Sequence, residues 1–185
     1  RYADCVPLMF YDPVKKVIAM AHSGWKGTVK RIGAKMVAFM ENEYGCKPSD
    51  IVCVIAPSIC QDCYEVSEVV AQEFIREFSD DMKKTVLSEK QNTSEKKYMN
   101  EKKSTSENRI ISEKKITSDN DDYNEEELLG EMIYHKGNGK YKLNLHKACE
   151  LVLINAGILR ENIDITDICT CCNPELLFSH RASHG

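Results

Sequence analysis

Two short stretches, ADC at residues 3–5 and AHSGWKG at residues 21–27, decide how the rest of this chain is interpreted. An apolar run follows the first stretch, another leads into the second, and DPVKK at residues 12–16 supplies turn residues between them. Apolar runs of this length predict two neighbouring buried strands joined by a hairpin-like turn. Cys5 and His22 then lie at the open end of the hairpin, within reach of one another.

A thiolate and an imidazole at this distance support more than one kind of chemistry. The pair suits zinc or copper as ligands, and it also suits a nucleophile with its general base. A cysteine and a histidine on apolar strands can equally be buried residues without a chemical role. The spacing alone leaves these three interpretations open.

The residues directly after His22 indicate an anion site. Gly24 and Gly27 flank Trp25 and Lys26 where a strand gives way to a helix. A glycine-containing turn at the start of a helix exposes backbone N–H groups to an anion, and Lys26 adds a positive charge. We therefore expect a phosphate or a carboxylate to bind there.

The same two stretches begin an ordered series of motifs that continues to the end of the chain. The later motifs are APSI at residues 56–59, CYEV at 63–66, CT at 169–170 and FSHR at 178–181. In this order the series resembles the YfiH-like laccase-domain family, first described as multicopper polyphenol oxidases and now associated with purine nucleoside phosphorylases. The resemblance implies an α/β (α+β) fold, in which mixed β-sheets pack with helices in a layered sandwich.

The resemblance also implies roles for particular side chains. Cys5 and His22 are expected to bind zinc, with copper as the alternative, and to act in catalysis together with Glu65 and Arg181. Lys26 and Arg181 are cations that suit phosphate, and Glu65 suits a ribose hydroxyl. The remaining residues expected to bind the substrate or cofactor are Gly24, Gly27 and Ser179.

The activity implied by the resemblance is phosphorolysis of purine nucleosides. Phosphate would attack the anomeric carbon of adenosine, inosine or methylthioadenosine and release the free base, and an adenosine deaminase activity is implied beside it. Three alternatives stay open: copper-dependent oxidation of polyphenols, hydrolysis by a Cys–His pair, and a non-enzymatic metal-binding or thiol-rich scaffold. Copper oxidation is disfavoured, because a multicopper centre needs many histidines and the chain has five.

Composition narrows the classes of partner. A chain of 185 residues with 42% hydrophobic content can bury one core, and a net charge of −4 gives no basic surface for nucleic acid. No stretch is typical of a membrane span or a signal peptide, so we expect no membrane partner and a cytoplasmic location. A small purine nucleoside and phosphate are the expected partners, and the oligomeric state stays open.

The family resemblance also bears on the extent of the chain. Family members contain an upstream Gln-Val-His-Gly motif whose histidine is a third metal ligand, and the chain, which begins at Arg1, does not contain this motif. We therefore expect residues 1–185 to form one domain that lacks its N-terminal part and its last strand.

The nine cysteines are Cys5, Cys46, Cys53, Cys60, Cys63, Cys149, Cys169, Cys171 and Cys172. Their odd number, without an export signal, favours free thiols in a reducing compartment. Cys60 and Cys63 are an exception, because together with the group at residues 169–172 they suit a second, structural zinc site or a redox pair. The first pair has the two-residue gap typical of zinc ligands, whereas the second group is interpreted as lacking it.

Apolar periodicity predicts helices at residues 28–44, 68–78 and 146–156. The run IVCVIA at residues 51–56 predicts a central strand buried on both faces, and residues 163–170 alternate like a strand.

The middle of the chain is different in character. Residues 88–117 repeat with a six-residue period and are rich in Lys, Glu, Ser and Asn, so ordering them would bury little apolar area. We expect residues 86–128 to be a disordered or weakly helical surface insert. Beyond it, GNG at residues 137–139 predicts a turn, and His135 and His146 are interpreted as solvated or capping residues.

Overall fold

The computed structural model describes residues 3–81 and 130–183 of the chain. Within these residues seven strands form two sheets, and the sheets pack with four α-helices, which confirms the expected fold class. The predicted insert at residues 86–128 lies outside the described residues. No helix in the described part of the chain is long and apolar enough to cross a membrane.

The predicted hairpin is present at the start of the fold. Strand β1 (Val6–Asp12) pairs antiparallel with strand β2 (Val17–Ser23). Their register places Pro7 opposite His22, so the segment that contains Cys5 meets the end of β2 at the open end of the hairpin.

These two strands belong to a four-stranded sheet with the order β2-β1-β3-β7. Strand β3 (Val52–Ile55) pairs antiparallel with β1 and parallel with β7 (Ile163–Ile165). The prediction that the third strand is central is confirmed, but burial on both of its faces is wrong. Cys53 and Ile55 are fully buried, whereas Val52 is 37% exposed on the opposite face.

The same alternation extends across the hairpin, which corrects the prediction of two buried strands. Apolar side chains on the face away from the core are exposed: Met9, Tyr11, Ile18 and Met20. The sequence indicated burial because both faces of these strands are apolar. Within the described residues, only one face of the sheet is covered. The strand predicted at residues 163–170 is also shorter than expected and ends at Ile165.

The single helix predicted for residues 28–44 is two helices, α1 (Trp25–Val29) and α2 (Ile32–Tyr44). The helix is interrupted at Arg31, which has a left-handed φ of 55°. An arginine rarely takes this conformation, so periodicity gave no sign of the break. As predicted, Gly45 ends the second helix, with a φ of 65°.

The side chain of Arg31 explains why the chain turns there. Its guanidinium donates at 2.5 Å to the carboxylates of Glu77 and Asp81 on the third helix, α3, which is helical over residues 68–81. The same group lies over the ring of Phe78, 5.2 Å from its centroid. These contacts attach α3 to the junction between α1 and α2.

The second sheet has three strands in the order β4-β6-β5. The strands are β4 (Glu65–Ser67), β5 (Ile133–Gly137) and β6 (Lys140–Leu143). The predicted turn is confirmed between β5 and β6, where Asn138 and Gly139 both have positive φ.

The last helix, α4 (Leu145–Asn155), begins one residue before its predicted start. The side-chain oxygen of Asn144 caps it by accepting a hydrogen bond from the backbone N–H of Lys147 at 3.0 Å. Helices α2 and α4 pack on the buried face of the first sheet. The residues shared by this core include Leu8, Phe10, Val37, Met40, Ile55, Leu151 and Val152.

We expect a large difference in stability between substitutions at two adjacent residues of β1. Leu8 is 1% exposed and Met9 is 43% exposed. Leu8→Ala leaves a cavity in the core, so it should lower the free energy of unfolding by about 3 kcal/mol, whereas Met9→Ala should lower it by less than about 1 kcal/mol. Urea denaturation measures both values, and equal losses would contradict a sheet that is buried on one face.

Candidate functional site

The thiol of Cys5 and the imidazole of His22 meet above Gly24. A Cβ atom placed on Gly24 would lie 3.0 Å from Cys5 Sγ and 3.6 Å from His22 Nε2. A side chain at residue 24 would therefore crowd both atoms. The structure brings together the two ligands that the sequence predicted, at the open end of the hairpin.

Gly27 allows α1 to pack closely on the end of β2. A Cβ atom at this position would lie 3.1 Å from the carbonyl oxygen of His22, closer than most Cβ contacts in proteins. Gly24 and Gly27 thus have a steric role in placing His22. Their predicted role in binding an anion stays a prediction.

A buried polar network holds the turn between β2 and α1 from the core side. The hydroxyls of Ser23 and Thr28, each 1% exposed, are hydrogen-bonded at 2.8 Å, and Thr28 also donates to the carbonyl of Gly24 at 3.0 Å. Cys149 on α4 donates its thiol hydrogen to Ser23 at 3.5 Å, and burial raises the pKa of this thiol to about 11. The network fixes the end of β2 relative to α1, which contains Thr28, and α4, which contains Cys149.

Asp4 connects the segment before Cys5 to the end of the chain. Its Oδ1 atom accepts hydrogen bonds from the hydroxyls of Thr170 at 2.8 Å and Ser179 at 2.7 Å. Its Oδ2 atom accepts one from the backbone N–H of Arg181 at 2.8 Å. This role of Asp4 was not predicted from the sequence, although a carboxylate directly before a candidate ligand is a signal that could have identified it.

Arg181 therefore lies beside the Cys5 segment, as the predicted site requires. Its guanidinium donates to the carbonyl oxygen of Glu65 at 2.9 Å and lies 5.8 Å from the ring centroid of Tyr64. Burial raises the pKa of Tyr64 to about 12, with a further contribution from the neighbouring Cys5 and an opposing one from Arg181. Tyr64 is thus a common neighbour of Cys5 and Arg181.

Glu65 presents its main chain and its side chain to different partners. Its carboxylate forms ion pairs with Lys136 at 2.8 Å and Lys140 at 3.6 Å. The hydrogen bond from Lys136 lowers the pKa of this carboxyl group. Only its carbonyl contacts Arg181, so the predicted contact of its side chain with a ribose hydroxyl stays a prediction.

The remaining predicted binding residues differ in accessibility. Lys26 is exposed, lies over the ring of Trp25 at 5.3 Å from the centroid, and forms no ion pair with the described residues. Ser179 is 3% exposed, and its hydroxyl donates to Asp4 and accepts from the backbone N–H of Ala182. Lys26 is available to an anion, whereas Ser179 is already engaged in positioning the last segment.

The interpretation of His146 as a solvated or capping residue is wrong. Its Nε2 atom is hydrogen-bonded to the hydroxyl of Ser58, and Asn144 is the residue that caps α4. Burial lowers the pKa of His146, and the charge of Asp167 opposes that effect. Ser58 is fully buried and His146 is half-buried, so the Ser58 hydroxyl itself is not exposed to solvent. His135 is exposed, in agreement with its interpretation as solvated.

Four other cysteines form a second cluster. The sulfur atoms of Cys60, Cys63, Cys169 and Cys172 all lie within 4.8 Å of one another and could hold a metal ion. The prediction that the second group lacks a two-residue gap is wrong, because Cys172 rather than Cys171 is the partner of Cys169. Burial raises the pKa of Cys169, but hydrogen bonds from the backbone of Cys60 and Cys172 and from nearby thiols outweigh burial and lower it to about 7.

With this geometry established, comparison with known proteins shows the family. The chain belongs to the family described as multi-copper polyphenol oxidoreductase laccase, whose model matches residues 1–113 and 113–185. The crystal structure of the Bacillus licheniformis hypothetical protein YfiH is similar to the whole chain, with a TM-score of 0.68 and 30% sequence identity. The chain covers 51% of that structure. The resemblance inferred from the motifs is confirmed.

Two relatives have names that describe an activity. The protein named purine nucleoside phosphorylase YlmD, from Bacillus subtilis, is 32% identical over all of this chain and 49% of its own length. The protein named adenosine deaminase RL5, from an unknown prokaryotic organism, is 42% identical over 39% of this chain and 27% of its own length. The chain therefore spans about half the length of the Bacillus subtilis relative.

Asp4→Asn should loosen the last segment. An asparagine keeps one acceptor oxygen but presents an NH₂ group to the second donor, so we expect the free energy of unfolding to fall by about 2 to 4 kcal/mol. Amide hydrogen exchange at residues 179–183 should become faster. Asp164→Asn is the matched control, since Asp164 is exposed on β7, and an equal effect there would contradict the role of Asp4.

The half-buried His146 should make the fold sensitive to acid. Its pKa is lower in the folded chain than the value of about 6.5 in an unfolded chain, so the unfolded state binds the proton first as the pH falls. The free energy of unfolding should therefore decrease as the pH drops through about 6.5. His146→Gln should weaken this decrease in denaturation curves, and the exposed control His135→Gln should not; identical pH profiles for wild type and His146→Gln would refute the assignment.

Proposed function

We propose that the protein to which this chain belongs is a zinc-dependent purine nucleoside phosphorylase. The observation that supports this most strongly is the meeting of Cys5 Sγ and His22 Nε2 at the space above Gly24, with Arg181 held nearby by Asp4. The name of the Bacillus subtilis relative indicates the same reaction. Because the chain spans half of that relative, the activity is proposed for the complete protein.

The donor set above Gly24 suits zinc. A thiolate and an imidazole are both ordinary zinc ligands, and a catalytic zinc site has three protein ligands and one position left for water or substrate. Cys5 and His22 would supply two of the three. When bound, zinc would polarise a purine atom or a water molecule. Copper is the alternative metal, and the family description is its main support.

Two cations of the chain are suited to the phosphate substrate. Arg181 uses one N–H donor on the carbonyl of Glu65, and a guanidinium has five, so further donors remain for an oxyanion. Lys26 lies in the first turn of α1 and has no carboxylate partner among the described residues. Arg181 would orient the phosphate, and Lys26 would contribute positive charge near the site.

The reaction itself exchanges one bond at the anomeric carbon. An oxygen of the bound phosphate forms a bond to this carbon while the glycosidic bond to the purine nitrogen breaks. The purine leaves with the electron pair of the broken bond and takes up a proton, and the second product is a sugar 1-phosphate. Cationic side chains around the phosphate hold the nucleophile next to a sugar that becomes positively charged in the transition state.

Adenosine deamination is a second candidate, supported by the name of the relative RL5. A metal ion at the same position would then activate a water molecule instead of assisting phosphorolysis. Oxidation of phenols is less well supported, because His22 is the histidine that the structure places at the Cys5 site, and a multicopper centre needs several. A cytoplasmic location stays a prediction.

The test is release of free base from adenosine or inosine by the complete protein, with and without phosphate. We expect release that requires phosphate and an equal amount of sugar 1-phosphate. His22→Ala should lose the metal and lower kcat/KM by at least about 100-fold, because a bound metal stabilises several kcal/mol of charge. His135→Ala is the matched control and should retain both.

The other outcomes are distinguishable in the same assay. Formation of inosine from adenosine without phosphate would support deamination in its place. Oxidation of phenols that depends on copper, with no release of base, would overturn the proposal. Loss of activity in Cys5→Ala with the metal retained would indicate a Cys–His hydrolase.

A further inference from the structure

The four-thiol cluster does not include Cys5 or His22, and the proposed reaction does not use it. Its sulfur atoms are mutually within 4.8 Å, and those of Cys63 and Cys172 are 3.5 Å apart. A tetrahedral zinc ion with Zn–S bonds of about 2.3 Å requires sulfur atoms about 3.8 Å apart. The thiols are therefore already near the spacing of a tetrathiolate zinc site.

The backbone around the cluster is arranged as it is in zinc-binding turns. Both pairs have the spacing Cys-x-x-Cys, and the carbonyl of Cys60 accepts hydrogen bonds from the backbone N–H groups of Cys63 and Tyr64 at 3.2 and 3.0 Å. The N–H of Cys60 donates to the sulfur of Cys169 at 3.2 Å. Such an N–H donor stabilises a thiolate ligand and fixes its direction.

Hydrogen bonds that involve no sulfur keep the two turns side by side. Ser58 forms a parallel bridge with Cys169, and the N–H of Thr170 donates to the carbonyl of Ser58 at 3.1 Å. In addition, the ammonium group of Lys142 donates a hydrogen bond to the carbonyl oxygen of Asp62, inside the first turn. A positive charge there would offset part of the charge of four thiolates around a divalent ion.

A disulfide explains the arrangement less well than a metal does. Disulfides would join the sulfur atoms in pairs at about 2.05 Å, whereas the sulfur atoms of Cys63 and Cys172 are 3.5 Å apart. All nine cysteines are free in the structure. Convergence of four thiols on one point is what a closed, structural metal site requires.

We propose that Cys60, Cys63, Cys169 and Cys172 bind one structural zinc ion as thiolates and release their thiol protons on binding. The ion ties the turn at residues 60–64 to the turn at residues 169–173. The first turn leads directly into Tyr64, and the second precedes the segment that ends at Arg181. This zinc would therefore hold in place the two chain segments that carry Tyr64 and Arg181 beside the Cys5–His22 site.

The experiment uses the complete protein with Cys5→Ser and His22→Ala together, so that metal at the other site does not contribute. After purification under reducing conditions, this double variant should retain one equivalent of zinc. Cobalt in place of zinc should give the strong ligand-to-metal absorption of a tetrahedral, four-thiolate site. The result does not depend on whether the protein phosphorolyses nucleosides, so failure here and failure of the proposed function are separate.

Single substitutions in the double variant identify the ligands. Cys60→Ser and Cys172→Ser should each lose zinc or weaken its binding by at least about 10-fold. Cys171→Ser is the matched control, because Cys171 also lies next to Cys63 but is outside the four, and it should retain zinc. Removal of zinc from the double variant by a chelator should lower Tm on the order of 10 °C.

Three results would overturn the site. One is a reduced, folded double variant that binds no zinc at stoichiometric concentration. Another is full zinc retention in both Cys60→Ser and Cys172→Ser. The third is an iron–sulfur absorption spectrum in the protein as purified. If a serine variant does not fold, the cobalt spectrum of the double variant alone decides between four thiolates and fewer.

Discussion

The carboxylate of Asp4 is the interaction on which the rest of the site depends. It accepts two hydroxyl hydrogen bonds and one backbone N–H, all from residues 170–181, and so joins the first described segment to the last. Hydrogen bonds to a charged group are among the stronger ones in proteins. Apart from them, the contacts that hold Arg181 near Cys5 are its hydrogen bond to the carbonyl of Glu65 and its position over the ring of Tyr64.

Around this link, backbone geometry does most of the positioning. The hairpin register brings the end of β2 next to the Cys5 segment, and two glycines let α1 approach closely enough for Cys5 and His22 to face one space. The hydrogen bond between the buried Ser23 and Thr28 then fixes the turn between β2 and α1 from the core side. The proposed metal ligands, Arg181 and the exposed Lys26 thereby lie at one end of the first sheet.

The sequence predicted the parts of this structure that depend on local patterns. The hairpin, the Asn138–Gly139 turn and the meeting of Cys5 and His22 follow from turn residues and strand length. It missed the break at Arg31, since that break depends on carboxylates 46 and 50 residues away on α3. The contact between Ser58 and His146 and the role of Asp4 were also missed, because each joins distant segments and leaves no periodic signal.

The central claim is that this end of the sheet holds a catalytic metal beside a phosphate-binding arginine. The most direct measurement is a crystal structure of the complete protein grown with zinc and phosphate, using anomalous scattering at the zinc edge. We predict a zinc peak within about 2.4 Å of both Cys5 Sγ and His22 Nε2, and a phosphate ion hydrogen-bonded to the guanidinium of Arg181. A map with no zinc at these two atoms, or with phosphate remote from Arg181, would contradict it.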